Sequence, residues 1–253
     1  MKKEIVGILG KGEIGTAIAK ISREAGYKVL VREIKYDQMA GNTVDFLHVN
    51  IPEKNNKKFV DLVVANILEL EPRLTVINSS VTPGTTRKIF NRANKPIVHS
   101  PVIGIHPQLY KSIKVYFKKV IGPTDKKSLN LAKKHFKKLG LNVQTYDSAE
   151  NSESAKLLDL IYYAWNIVFC KWVDEISKEL KLNFNQVYTI NNQIYNQGYK
   201  KLRPNVIRPV LTPTLGPIGG HCTVEDTILF DRYYKSRFTK FILGENERYK
   251  KNK

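Results

Sequence analysis

Short apolar runs alternate with longer amphipathic stretches over the first part of the chain. The apolar runs have the length of buried strands, and they are Ile5–Leu9, Tyr27–Val31, Asp45–Ile51, Leu74–Asn78, Ile97–His99, Lys119–Gly122 and Leu141–Tyr146. Helical periodicity, with apolar residues three and four positions apart, occurs between them at Thr16–Ala25, Phe59–Leu70 and Lys126–Lys138. Strands that alternate with helices predict an α/β fold with a doubly wound parallel sheet, which we expect to occupy residues 1–148.

The second part of the chain has an entirely helical pattern. Asn151 or Ser152 can cap a helix whose first turn carries acidic side chains, and helical periodicity then continues to about Lys181. A second helix over Asn185–Tyr195, a proline-rich segment and a last short helix follow. Residues 149–253 are therefore predicted to form a smaller all-helical domain with one long helix, which we assign to substrate binding and dimerisation.

The long helix is rich in large apolar side chains. They are Leu157, Leu158, Ile161, Tyr162, Trp165, Phe169 and Trp172. These residues lie on more than one face of the helix, which is more apolar surface than one small domain can easily cover. We therefore expect a homodimer built on the helix over about residues 152–181. The alternative is a helix that is covered wholly by its own chain.

The formal net charge of +19 over 253 residues requires an explanation. Lysine and arginine are densest in Lys126–Lys138 and in the tail after Arg232, which we expect to be frayed beyond Gly244. The lysines of the first segment lie mostly away from its apolar face, so a solvated helix surface explains them. A polyanion-binding surface is the alternative, but no recognised nucleic-acid-binding motif accompanies it. A nucleic-acid partner is therefore not expected, and a small anionic substrate or cofactor accounts for part of the excess.

Cysteine content and the lengths of the apolar runs indicate a soluble cytoplasmic protein. Cys170 and Cys222 are the two cysteines, and the absence of a CxxC pair argues against a disulfide scaffold. The longest nearly apolar run, Ile161–Cys170, is too short to span a membrane, and the first residues do not have the pattern of a signal peptide. The histidines, including His221 beside Cys222, show no metal-ligand spacing, so no metal site is expected.

The first apolar run enters a glycine-rich turn, Gly10-x-Gly12-x-x-Gly15, and a helix follows. In a dinucleotide-binding turn the first glycine makes the tight turn, and the second lets a pyrophosphate approach the backbone. The third lets the helix pack against the strand. Glu33 follows the next strand, where a carboxylate can accept a hydrogen bond from a ribose 2′-hydroxyl. This predicts NAD rather than NADP, a preference that the nearby Arg32 and Lys35 weaken. The alternative is a glycine turn that binds nothing.

Six segments resemble motifs of one family, the nucleotide-sugar 6-dehydrogenases, also called the UDP-glucose/GDP-mannose dehydrogenase family. They are Gly10–Gly15 (similar to its cofactor turn), Asp45–Pro52 ("DvvfiavP"), Ser79–Thr86 ("STVPPGTT"), Lys119–Gly122 ("rivIG"), Glu153–Leu157 ("AExxKL") and Gly216–Asp226 ("GPGxGGxCxxxD"). The last two are the most specific, because each carries reactive side chains at the spacing of the family. The resemblance covers nearly the whole chain and implies a Rossmann-type domain that binds NAD.

The resemblance implies a four-electron, NAD-linked oxidation of a sugar alcohol to a carboxylate. Cys222 matches the cysteine that traps the intermediate aldehyde as a thiohemiacetal, which a second hydride transfer converts to a thioester. Asp226 matches an aspartate that helps to activate water, and Lys156 matches a lysine that stabilises developing oxyanion charge. Ser80 stands where the family has a threonine and completes the predicted catalytic set.

The glycine turn and the resemblance together assign the residues that bind the two ligands. The predicted cofactor-binding residues are Gly10, Gly12, Glu13, Ile14, Gly15, Glu33, Asn50, Ile51, Pro52 and Ser79. The predicted substrate-binding residues are Glu153, His106, Gly219 and Gly220. For His106, a loop histidine with a local hydrogen bond is the alternative interpretation.

Two departures from the family pattern leave the reaction open. Leu160 stands where the family has an asparagine four residues after the lysine, and Val102 stands where it has a glutamate. The chain also stops where the family continues into a third domain that closes over the nucleotide. Either the substrate is not an ordinary nucleotide sugar, or the overall reaction is simpler, as in a single two-electron step.

Three functions remain open from the sequence. The leading one is an NAD-dependent dehydrogenase of the 6-dehydrogenase type, acting on a nucleotide sugar or a related anionic substrate. The second is a two-electron 3-hydroxyacid-type dehydrogenase, which needs no thiol. The third is a non-catalytic protein that binds a dinucleotide or a polyanion.

Overall fold

A computed structural model describes residues 3–219 and 221–251 of the chain. In this part the strands are β1 (Ile5–Leu9), β2 (Lys28–Glu33), β3 (Tyr36–Asp37), β4 (Phe46–Val49), β5 (Leu74–Ile77), β6 (Ile97–His99), β7 (Lys119–Pro123) and β8 (Val143–Thr145). They form one sheet in the order β3-β2-β1-β4-β5-β6-β7-β8. The predicted α/β fold with a doubly wound sheet is confirmed, and the sheet is mostly parallel.

The helices are α1 (Glu13–Glu24), α2 (Asn56–Leu70), α3 (Thr85–Ala93), α4 (Leu109–Lys111), α5 (Lys126–Lys138), α6 (Ala149–Glu179), α7 (Asn191–Leu202), α8 (His221–Tyr233) and α9 (Arg237–Lys251). Short π-helical turns follow α4 (Ser112–Tyr116) and precede α7 (Asn185–Ile190). Among the described residues, no helix is both long enough and apolar enough to cross a membrane.

Three strands run against the direction of the other five. β3 pairs antiparallel with β2, β7 pairs antiparallel with β6, and β8 runs parallel to β7, so the predicted parallel sheet contains two antiparallel pairings. The connection from β6 to β7 contains α4 and the π-helical turn, and it leads the chain back into the sheet from the end at which β6 finishes. β7 therefore begins at the end of the sheet where the carboxyl ends of the parallel strands lie. This places Lys119 at their carboxyl ends.

Apolar side chains pack on both faces of the sheet. On β1, Val6 and Ile8 belong to one cluster, which Ile18 of α1 and Phe136 of α5 complete. Leu47 of β4 belongs to a second cluster, which side chains of α2 and α3 complete. Because both faces of the central strands are buried, those strands appear in the sequence as continuous apolar runs and not as alternating ones.

The chain divides into two units, Met1–Lys156 and Leu157–Lys253. The sheet belongs to the first unit. The second unit has a core of its own, formed by Ile161, Ala164, Val168, Ile218 and Ile242. The long helix was expected over about residues 152–181 and is α6, which begins somewhat earlier. The domain boundary expected after residue 148 stays a prediction.

The basic tail is helical to Lys251, so the prediction of a frayed end after Gly244 is wrong. Arg248 donates from two nitrogens to the two carboxylate oxygens of Glu175, both at 2.9 Å. Asn246 accepts a hydrogen bond from the backbone N–H of Ile218 at 3.1 Å, and Tyr249 is buried. A basic composition suggests a solvated tail, but these contacts within the second unit hold α9 in place.

Candidate active site

The three glycines of the first turn have three different environments. Gly10 has a φ of +87°, a left-handed conformation that glycine adopts without strain. A Cβ on Gly15 would lie 1.9 Å from the carbonyl oxygen of Gly10, so α1 packs against the turn closer than any side chain permits. Gly12 precedes the first residue of α1, and a Cβ there would meet nothing within 4 Å among the described atoms. The open side of the turn is therefore at Gly12, beside the helix N-terminus.

Glu33, at the end of β2, is directed toward this turn. Its carboxylate accepts a hydrogen bond from the backbone N–H of Lys11 and another from that of Ile34. The neighbouring Arg32 faces other partners: its guanidinium donates to Asp37 at 2.9 Å and to Glu69 at 2.6 Å. These two carboxylates raise the pKa of Arg32 further above its ordinary value. The carboxylate of Glu33 thus lies at the turn, whereas the guanidinium of Arg32 is engaged in ion pairs.

A buried lysine joins the carboxyl ends of four strands. Lys119 is 3% exposed, and its ammonium donates to the carbonyl oxygens of Ser100 and Pro101 and, at 3.1 Å, to Oδ1 of Asn78. The amide nitrogen of Asn78 donates to Oδ1 of Asn50 at 3.0 Å. Asn50 in turn bonds through its own N–H to the carbonyl of Leu9 at 2.8 Å, directly before the glycine turn. Burial lowers the pKa of Lys119 well below its ordinary value.

This lysine also determines the tautomers of two buried histidines. Because Oδ1 of Asn78 accepts from Lys119, its amide nitrogen is the group that faces Nδ1 of His48, at 3.1 Å. Nδ1 of His48 is then an acceptor, and a neutral imidazole carries its proton on Nε2. His48 therefore donates to Nε2 of His135 at 2.9 Å, and His135 donates from Nδ1 to the hydroxyl of Tyr27 at 3.2 Å.

Burial keeps these imidazoles neutral. It lowers the pKa of His48 well below its ordinary value and lowers that of His135 to about 3. His99, between Ser152 and the carbonyl of Ser79, has its pKa lowered to about 3 for the same reason. The polar network was missed in the sequence, where the only sign of it is a few polar residues inside apolar strand runs.

Two buried carboxylates hold the turn between β5 and α3. Glu153 of α6 is fully buried and accepts from the backbone N–H groups of Gly84 at 2.6 Å and Thr86 at 2.8 Å. Glu53 accepts from the backbone N–H of Thr82 at 3.0 Å and also from its hydroxyl. Glu153 thus caps the N-terminus of α3, a contact that its predicted substrate-binding role did not suggest. Burial raises the pKa of Glu153 to about 7.

The remaining predicted residues of the first unit lie around the same strand ends. Ser79 is buried and donates to the carbonyl of Ile51 at 2.6 Å, which joins two predicted cofactor-binding segments. His106 contacts the carboxylate of Glu13 at the start of α1, so one predicted substrate-binding residue touches one predicted cofactor-binding residue. Lys156 is half-buried in α6.

The structure also gives the positions of the two residues that depart from the family pattern, and of the predicted catalytic cysteine with its neighbouring aspartate. Val102 is buried in the first cluster of the core, and Leu160 is half-buried on α6. In the second unit, Cys222 is exposed and Asp226 is buried. They are four residues apart on α8, a spacing that puts two side chains on the same face of a helix. Gly220 lies outside the described residues. A joint site of Cys222 with Lys156 and Ser80 stays a prediction.

Comparison with known proteins gives related sequences but no matching family model. UDP-N-acetyl-D-mannosamine dehydrogenase of Methanococcus maripaludis is 30% identical over 181 residues, which cover 69% of this chain and 38% of the relative. The protein of the same name from Methanocaldococcus jannaschii is 27% identical over 182 residues, covering 67% of this chain and 39% of the relative. The chain thus spans about two fifths of the length of these curated relatives.

Solved structures share the fold at low identity. UDP-D-ManNAc dehydrogenase of Pyrococcus horikoshii superimposes with a TM-score of 0.78 at 19% identity, over 96% of this chain and 68% of that chain. UDP-glucose dehydrogenase of Pyrobaculum islandicum gives 0.72 at 17% identity, over 98% and 68%. The 3-hydroxyisobutyrate dehydrogenase of Mycobacterium tuberculosis gives 0.68 at 12% identity, over 98% and 94%.

Proposed function

Because the chain belongs to the nucleotide-sugar dehydrogenase family, we propose that it oxidises an alcohol group of a nucleotide sugar, or of a related anionic substrate, with NAD as the hydride acceptor. The observation that carries the proposal is the glycine turn, which is closed at Gly15 and open at Gly12. The two cysteines of the whole sequence favour a cytoplasmic setting for the reaction.

The residues of the first unit fit a dinucleotide. The N-terminus of α1 offers backbone N–H groups and a positive dipole to a pyrophosphate at Gly12. Glu33 is the acceptor for the ribose hydroxyls, and Asn50 with Ser79 lines the strand ends farther along the edge. When bound, NAD supplies the acceptor for a hydride from the substrate carbon.

Preference for NAD over NADP is the first test of this assignment. Glu33 would repel a 2′-phosphate, and Arg32 is paired with Asp37 and Glu69, so it is not available to neutralise one. We expect NAD to bind at least about tenfold more tightly than NADP, a difference of about 1.4 kcal/mol. Titration with both cofactors at one ionic strength measures it. Tighter binding of NADP would show that Arg32 leaves its ion pairs. Glu33→Gln should reduce the difference in affinity between NAD and NADP.

For the chemical steps we assign Lys156, Ser80, Cys222 and Asp226. Lys156 stabilises the alkoxide that forms as the alcohol loses its proton, and Ser80 adds a hydrogen bond to the same oxygen. Loss of a hydride from the carbon of this alkoxide gives the aldehyde. The Cys222 thiolate then adds to the aldehyde carbon, and loss of a second hydride from the thiohemiacetal gives a thioester. Water, activated by Asp226, hydrolyses the thioester to the carboxylate and releases the thiol. The complete sequence consumes two NAD for each alcohol.

A two-electron dehydrogenase of the 3-hydroxyacid type is the second candidate. The burial of Val102 in the core favours it, because the side chain at this position of the family's acidic segment packs inward and carries no acid. That reaction would end at a carbonyl product and would leave Cys222 unused.

Counting NADH separates the two candidates. With UDP-N-acetylmannosamine, UDP-glucose and 3-hydroxyisobutyrate offered in turn, we expect a nucleotide sugar to give two NADH for each substrate consumed. Cys222→Ser should then stall after the first oxidation, because an alkoxide is a poorer acyl carrier than a thiolate. Cys170→Ser is the matched control, since Cys170 has no assigned step. A ratio near one, with Cys222→Ser fully active, would support the two-electron candidate. Absence of any NADH would support the non-catalytic alternative.

We also propose that the chain forms a homodimer through α6. Tyr162, Phe169 and Trp172 are exposed on this helix, at 56%, 40% and 50%. Sedimentation at micromolar concentration should show a dimer that Trp172→Glu dissociates. Leu215→Glu is the control, because Leu215 is 98% exposed outside α6. A monomer in the unsubstituted protein would contradict the proposal.

A further inference from the structure

The second unit contains a cavity of about 360 Å³ that none of the assigned catalytic residues lines. One wall is α6, with Ile167 and Lys171, and the opposite wall is the segment that includes Leu211 and Ile218. Cavities of this size fall within the range of small-molecule sites in proteins.

A buried ammonium lines this cavity. Lys171 is 4% exposed, donates to the carbonyl oxygen of Thr214, and lies 4.6 Å from the ring centre of Tyr249. Burial lowers the pKa of Lys171 from its ordinary value. A carbonyl and an aromatic face are partial partners for a cation, and neither carries a negative charge to balance it.

The acidic side chains nearest to Lys171 along α6 are engaged elsewhere. Asp174 pairs with Lys178 at 2.6 Å, and Glu175 pairs with Arg248 at 2.9 Å. Within residues 3–219 and 221–251, no carboxylate forms an ion pair with Lys171. Glu175 and Asp174 act on Lys171 only through space, and their charges oppose the effect of burial in part. A buried ammonium without a direct ion pair is costly, so its place beside an open volume favours a ligand that brings a negative charge into contact with it.

We propose that this cavity binds a small organic carboxylate whose apolar body packs on Ile167, Leu211 and Ile218 and whose carboxylate pairs with Lys171. An inorganic anion would leave the aliphatic wall uncovered, and a neutral apolar molecule would leave the ammonium unbalanced. The proposal does not depend on the proposed function. Gly219 is the one predicted substrate-binding residue that also lines the cavity, so competition with the substrate has to be tested.

Phenylacetate and its neutral analogue phenylacetamide test the role of charge. Both can be titrated into the intact chain, with calorimetry and with the fluorescence of Trp165 and Trp172, each of which lies within two residues of a cavity-lining residue on α6. We expect phenylacetate to bind at least tenfold more tightly than phenylacetamide. Equal binding of the two, or no binding of phenylacetate up to its solubility limit, would overturn the proposal.

Substitutions on α6 test the site itself. Lys171→Met should weaken phenylacetate at least tenfold and leave phenylacetamide unchanged, whereas Lys171→Arg should retain binding. Lys178→Met is the matched control, because it removes one exposed charge from the same helix and should change nothing. Circular dichroism confirms that each variant is folded. If Lys171→Met is misfolded, two other variants test the site. Phenylacetate should still bind to Lys171→Arg and should no longer bind to Thr223→Val, because Thr223 also lines the cavity.

Two further ligands define the chemistry. Inorganic phosphate should compete with phenylacetate weakly, and tighter binding of phosphate than of phenylacetate would refute the carboxylate class. UDP-N-acetylmannosamine should not displace phenylacetate. Displacement with one-to-one competition would put phenylacetate in the substrate site and would refute a separate cavity, whatever the outcome of the NADH measurements.

Discussion

Gly12→Val is expected to weaken NAD binding by about 100-fold or more, about 3 kcal/mol, while the protein stays folded. The physical reason is the difference between two glycines of one turn. A side chain on Gly12 would enter the open space where a pyrophosphate approaches the N-terminus of α1, and it would meet no described protein atom within 4 Å. Binding is therefore lost by exclusion of the ligand and not by damage to the fold.

Gly15→Ala is the comparison that gives this experiment its meaning. Its Cβ would overlap the carbonyl oxygen of Gly10 at 1.9 Å, so α1 has to move away from the turn. We expect a loss of about 3 kcal/mol or more in the free energy of unfolding, the upper range for overpacked sites. Urea unfolding and cofactor titration on both variants separate the effects. Unchanged NAD affinity in Gly12→Val would contradict the assignment of the turn, and unchanged stability in Gly15→Ala would contradict its packing.

The second large effect concerns pH. His48, His99 and His135 are buried and neutral, with pKa values lowered below the ordinary 6.5, so the unfolded chain binds more protons than the folded one as the pH falls below 6.5. Glu153 acts in the opposite direction: with its pKa raised from 4.5 to about 7, its contribution is complete below pH 4.5 and is lost as the pH rises toward 7. These four groups together therefore take up about two protons when the protein unfolds between pH 5 and pH 6.

The free energy of unfolding should accordingly fall by about 2.7 kcal/mol between pH 6 and pH 5, which is a large share of the stability of an ordinary protein. Urea titrations at several pH values measure the slope. His135→Phe should reduce the number of protons taken up on unfolding by one. The fold should tolerate this substitution, because a phenyl ring can keep the stacking on Phe46, with ring centres 3.9 Å apart. Tyr27→Phe is the control, because it removes the hydroxyl partner of His135 and keeps all three imidazoles. A flat profile down to pH 5 would show that these histidines are hydrated.

Local patterns in the sequence were sufficient for some parts of the structure and not for others. The glycine turn and Glu33 were predicted because each depends on a few neighbouring residues with fixed backbone roles. The direction of β7 was not, because it depends on the path of the connection from β6 and not on the strand's own residues. The helical structure of the tail was not predicted, because it depends on the ion pair between Arg248 and Glu175, which lie far apart in the sequence.

The polar network shows the same limit within the site. Lys119, Asn78 and His48 come from three different strands, and only the sheet order brings them together. In sequence each is a single polar residue in or beside an apolar run, which is equally compatible with an exposed strand end. The pair Cys222 and Asp226 was predicted from its spacing and from the family resemblance, and its catalytic role stays a prediction.

The position of Glu153 determines where a fragment that contains only the sheet unit can end. The first turns of α6 belong to the unit that holds the sheet, where Glu153 accepts the two N–H groups at the start of α3 and Ser152 contacts His99. A gene fragment with its stop codon after residue 148 would delete both side chains and leave those N–H groups and Nδ1 of that imidazole without these partners inside the protein. A fragment that ends at Lys156 keeps them. Recombinant production of the sheet unit by itself, for spectroscopy of its histidines, has its proper end there.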